Sequence, residues 1–163
     1  MGQPLIDEAM RKAAVAWVEV ADQPARLVWC VPVTGSLWLV TGPGEQQLPG
    51  LAGADRAVVT LRGSHGGRVV SWPAAVRRLD PAGERWAELA PQLAGKRLNA
   101  SGDAASLVAR WAAECEVYEF APAEGPVAAA GSLPDTSLAE PPRESPARRA
   151  VRTPFRLHRV RRR

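Results

Sequence analysis

The chain has 163 residues, room for one domain and an appendage. Up to Ala121 it carries 12 Lys or Arg against 13 Asp or Glu and all six Trp, and beyond it nine Arg against four acids. The body is therefore near neutral, and the formal +4 of the whole argues for nucleic acid or another polyanion only through the tail. Two cysteines without spaced partners argue against zinc and against a disulfide framework, and no run approaches the roughly 18 apolar residues of a membrane span.

The first residues, MGQPLIDEAM, lack the basic and apolar regions of a secretory signal, and Ile6 stands where myristoylation needs Ser or Thr. The expected setting is a reducing cytoplasm, with Cys30 and Cys115 as buried thiols. Met10, Ala13, Ala14, Trp17, Val18 and Ala21 share one helical face, which predicts a helix over 7–20 with Asp7 as its N-cap, laid on a sheet as a lid or plug. Pro24 ends it.

Next come four runs rich in β-branched and aromatic residues. Strands are predicted at 26–33 and 36–41, joined by a tight turn at Thr34 and Gly35. Both faces of 36–41 are apolar, so it should be covered on both sides. Residues 42–54 are longer than a hairpin needs, and 45–54 can make a helical turn or two. Further strands follow at 56–62 and, after the GSHGG reversal, at 68–79, where Trp72-Pro73 predicts an edge or a bulge. The pattern then becomes helical at 84–93, limited or kinked by Pro91, and again at 104–115, with Ser101 or Asp103 as cap. A last strand, 116–120, returns to close the sheet. Residues 122–163 hold seven Pro and Arg-rich blocks with few large apolar side chains, and a disordered tail is expected behind a domain at 1–121.

Side-chain catalysis finds few candidates. His65 sits alone in a Gly-rich turn, no G-x-S-x-G elbow exists for a hydrolase, and no catalytic or metal-binding residue is assigned. Gly42-Pro43-Gly44 is neither a P-loop nor a dinucleotide fingerprint, since Gln47 occupies the third glycine position. Thr41, Glu45, Gln46 and Gln47 nevertheless stand together directly after a strand, where they can face a ligand.

The runs WLVTGPGEQQLPGLAGADRAVVTLR, GRVVSWPAAVRRLDPAGERW and RLNASGD leading to RWAAECEVYEFAP resemble the pyridoxamine 5′-phosphate oxidase-related group of split β-barrel proteins, over residues 5–122. That resemblance implies a mainly β (α+β) fold, a six-stranded antiparallel split barrel with flanking helices. It also implies a homodimer with FMN, or in relatives a deazaflavin or haem, in a groove between subunits. On the matching positions, Val40 and Thr41 contact the phosphate, Arg26 is a basic phosphate contact, and Arg68 lies where relatives face the flavin ring. Gln46 and Gln47 stand where the family has a basic pair. Arg62 is placed to replace some of that charge. A flavin ring carries hydride chemistry with little help from side chains, so an FMN-dependent oxidoreductase acting on a small molecule fits these residues. A barrel without cofactor that acts by dimerisation or partner binding fits them too, and a polyanion tether through the basic tail is a third reading.

Overall fold

The computed structural model describes residues 2–62, 68–129 and 131–133, the side chains of 68 and 69 excepted. His65 and most of the basic tail lie outside the described residues.

The expected helix over 7–20 is two elements. Helix α1 is Gln3–Arg11, with Pro4 in its first turn, where a missing N–H costs nothing; Ile6 and Met10 enter the barrel core. Asp7 is not its cap but accepts from Gln3 Nε2 at 2.8 Å. Strand β1 is Val15–Glu19. Here a period of two overrides the helical one: Ala16, Val18 and Val20 are buried, while Val15 is 51% exposed and Glu19 is exposed. Stiff valines favour that outcome.

The expected strand over 26–33 breaks at Cys30 into β2, Arg26–Trp29, and β3, Val31–Val33. Strands β4, Ser36–Thr41, and β5, Arg56–Arg62, fall where the pattern places them. β6 is Arg68–Arg78 and β7 is Glu116–Pro122. Thr34 and Gly35, at φ +49° and +76°, make the expected tight turn between β3 and β4, and it is of the primed kind. The sheet order is β2-β1-β5-β6-β7-β4-β3. Its two edge strands are consecutive in the chain, joined through Cys30, so the sheet curls almost into a closed barrel.

Pro73 does not interrupt β6. It pairs with Val58 of β5, and its carbonyl accepts from the Ala123 N–H at 2.9 Å. A strand residue's N–H and C=O leave by the same edge, so the missing donor faces Ala123 just beyond the end of β7, which pairs from Ala74 onward, and only that terminal rung loses a bond; β8, Ala128–Ala129, pairs farther along with Val70 and Ser71. Strand order thus continues past the expected boundary at 121, helped by Val127, which packs over Gly2 so closely that a Cβ there would lie 2.8 Å away. The five strands predicted from the pattern become eight because β1 replaces a helix, 26–33 divides and β8 is added, against the six that the resemblance implies.

Two cores lie on opposite faces of the sheet. Inside the barrel are Val18, Val28, Leu37, Leu39, Val59, Trp72 and Phe120. Outside it, Trp38, Val40 and Val117 pack beneath α2, Glu84–Lys96, and α3, Ala104–Glu114. Every residue of β4 is buried, as its two apolar faces require. Helix α2 runs through Pro91, because Leu93 and Ala94 beyond it are buried while Pro91 itself is exposed to water, which can satisfy the freed carbonyl. Asp103 caps α3, accepting from Ser106 N–H at 2.8 Å.

Cys30, 2% exposed, is held in the barrel interior, and burial pushes its thiol from 9.0 up to about 12. The native chain should therefore resist maleimide at Cys30 at pH 8 and react there only on unfolding. Because the folded thiol ionises later than the unfolded one, its contribution is complete below pH 9.0 and is lost as pH rises toward 12.

Candidate functional site

The loop after β4 is tied down on both sides. Thr41, 8% exposed, pairs with Glu116 of β7 and bridges to Gln46. Gly42 adopts φ +137°, and a Cβ there would lie 2.9 Å from Cys115 Cα; at Gly44, φ +75°, it would lie 3.0 Å from Arg110 Nη1. Both glycines are needed for this close approach. Within the loop, Glu45 N–H donates to the Gly42 carbonyl at 3.0 Å, and Gly42 N–H to that of Gln46 at 3.4 Å.

Consecutive side chains then reach opposite ways. Gln46 clamps the backbone of Trp29, where β2 ends: its Oε1 accepts from Trp29 N–H at 2.6 Å and its Nε2 donates to the Trp29 carbonyl at 2.7 Å. Gln47 Nε2 donates to the Gly42 carbonyl at 2.9 Å, closing the loop on itself. Glu45 points toward the helices, with its side chain only 2% exposed. Its Oε1 accepts from Arg110 Nη2 at 2.6 Å and Trp111 Nε1 at 3.0 Å, and its Oε2 from Arg97 Nε at 3.0 Å. Burial alone would raise this carboxyl; the bonds from Trp111, Arg110 and Arg97 together outweigh it and hold the group below its ordinary 4.5. Arg110 Nη1 also donates to the Pro43 carbonyl at 2.6 Å. Burial raises the neighbouring Cys115 thiol, against the pull of Arg110. Beside this cluster a cleft of about 390 Å³ is lined by Arg97, Arg110, Glu45, Glu114, Asn99 and Ser101, among others.

Of the other residues singled out by sequence, Val40 is fully buried in the helix-side core. Arg26 pairs with Val18, itself paired with Val59, and so shares the barrel-inward face, half-buried. Arg62 lies on the outer face, its guanidinium 5.2 Å from the centre of the Trp17 ring, at a bulge in the β5–β6 pairing. The Arg68 backbone pairs with Arg62; its side chain is outside the described residues. The structure therefore gathers Thr41, Gln46 and Gln47 in one loop and brings the Arg62 and Arg68 backbones together, with Val40 directly before the loop and its side chain in the helix-side core.

The outer face of β2–β1–β5 is the feature that sequence reading missed, because Trp17 was placed on a helix. Trp17 pairs with Leu27 on one side and Thr60 on the other, and Val15 pairs with Trp29. Leu27 is 53% exposed and Val58 40%. The row ends in polar groups, Thr60 Oγ1 donating to Ser71 Oγ at 2.9 Å. Val15, Leu27, Val58, the Trp17 indole and the Arg62 guanidinium thus share one surface with the Glu19 carboxylate, while Trp29 packs against the helix-side core beneath Arg97 and Thr60 is buried. The available signal was the alternation in Val15-Ala16-Trp17-Val18-Glu19. Among the described residues no group of His, Cys, Asp or Glu is arranged to hold a metal, and no helix is long and apolar enough to cross a membrane.

No protein-family model matches the sequence, and no curated protein matches it. Solved structures do. The haem storage protein HutZ from Vibrio cholerae is 11% identical with a TM-score of 0.55, covering 77% of this chain and 92% of its own. A Listeria innocua protein named for pyridoxamine 5′-phosphate oxidase is 10% identical with a TM-score of 0.56, covering 81% and 100%. The conserved hypothetical protein Rv2991 from Mycobacterium tuberculosis is 15% identical with a TM-score of 0.56, covering 86% and 93%. At such identities the likeness is one of fold, and the chain has the split β-barrel fold shared with these pyridoxamine 5′-phosphate oxidase-like proteins.

Proposed function

We propose that the chain is a flavin-binding split-barrel protein with redox activity, assembled from two copies that meet on the outer face of β2–β1–β5. The observation that carries this reading is that face itself. Val15, Leu27 and Val58 are 40% or more exposed beside Trp17, with Arg62 over its ring. A planar heteroaromatic ring gains from apolar contact, from stacking and from a cation at its edge. An exposed apolar patch rimmed by polar groups also marks a surface for a partner, here a second copy. The fold agrees with a redox reading, since one structural neighbour is named for pyridoxamine 5′-phosphate oxidase.

FMN as a whole fits unevenly. The face suits the ring. The loop where the family resemblance places the phosphate does not suit a dianion, because Gln46 and Gln47 are neutral and bonded to backbone. A bound flavin would supply hydride or electron transfer; this chain's residues would position it and exclude water. The Gln46 clamp also favours a second reading, a barrel that pairs without any cofactor. A spectrum of the purified chain, followed by flavin titration, separates the two: saturable binding in the micromolar range supports the flavin reading, and no binding at millimolar flavin leaves the cofactor-free one.

A further inference from the structure

We infer that the face takes its flavin through the ring and without a terminal phosphate anchor, so that riboflavin binds as tightly as FMN. This rests on the flavin reading above and specifies the ligand class.

Three features of the loop lead to it. Both polar ends of the Gln46 amide are engaged by Trp29, at 2.6 and 2.7 Å, and Gln47 Nε2 by the Gly42 carbonyl. These side chains shape the loop, and neither adds charge for a phosphate. The backbone is engaged as well: the N–H groups of Gly42 and Glu45 bond within the loop, so a nest of free amides of the kind that cradles phosphate is not assembled from them. The fixed charge between the glutamines and the helices is a carboxylate, Glu45, kept ionised by Trp111, Arg110 and Arg97. Arg97 and Arg110 share their cleft with Glu45 and Glu114, which leaves its formal charges balanced. A dianion brought to this loop meets neutral amides beside a cluster whose arginines are already paired with Glu45.

The full-length chain is titrated with riboflavin and with FMN as separate probes, following quenching of flavin fluorescence at low and high salt. The two dissociation constants should agree within about threefold and respond little to salt. Tighter binding of FMN by tenfold or more, weakening with salt, would overturn the inference and assign the phosphate to arginines such as Arg62, with the flavin reading intact. Failure of both probes to bind would overturn both. Gln47→Lys is the second arm, chosen because Gln47 is exposed and Gln46 holds the loop together. It should raise FMN affinity about fivefold or more and leave riboflavin unchanged; no gain for FMN, or an equal change for both, contradicts the inference.

Discussion

Glu45→Ala should lower the unfolding free energy by about 2–3 kcal/mol, read as a lower urea midpoint with an unchanged slope. The substitution removes the acceptor of three donors. Trp111, fully buried, loses the partner of its indole N–H, and an unpaired buried donor costs about 1–3 kcal/mol. Arg97 and Arg110 lose their counterion, but their side chains are 25% and 33% exposed and can rehydrate, which keeps the total below that of a fully buried pair. Glu45→Gln retains an acceptor and should cost about 1–2 kcal/mol.

The same pair of proteins carries a pH signature. Glu45 is held below its ordinary 4.5 in the folded chain, so the unfolded chain takes up the proton first as pH falls. The stabilisation is complete above pH 4.5 and is lost as pH drops through the lower native value. Wild type should lose stability more steeply than Glu45→Gln below pH 4.5, and the gap between them should close in acid.

Leu27→Asp should convert a dimer to a monomer and remove flavin binding while the barrel stays folded. Leu27 is 53% exposed on its own chain, so a carboxylate there is solvated in the monomer and costs within about 0.5 kcal/mol. Across a two-fold interface the change counts twice, and two desolvated like charges weaken association by a hundredfold or more. Light scattering and a circular dichroism melt measure the two halves of this expectation.

Much of the fold was legible because its signals are local. β4 and β5 show their alternation or apolar run cleanly, Thr34-Gly35 marks a tight turn, and Asp103 stands at a helix start. The failures share a cause in tertiary context. Residues 13–20 satisfy a helical face and a strand alternation together, and pairing with β2 and β5 decides for the strand. Pro91 breaks no helix because Leu93 and Ala94 hold the next turn in the core, and Pro73 breaks no strand because its missing donor falls at the end of the β7 ladder. The site was half legible. The TGPGEQQ loop marked itself by composition, but the direction of each side chain depends on Trp29, Arg97, Arg110 and Trp111. The first stands 17 residues away and the others more than fifty, and no local pattern encodes those contacts. The outer face was hidden by the misplaced Trp17.

The most direct test of the central claim, a flavin site shared by two copies on the β2–β1–β5 face, is an equilibrium titration with riboflavin on wild type and Leu27→Asp side by side, with the mass of each species recorded. A dimeric wild type should bind one flavin per chain saturably, and the folded, monomeric variant none. Equal binding by the monomeric variant, or none by wild type, would contradict the claim.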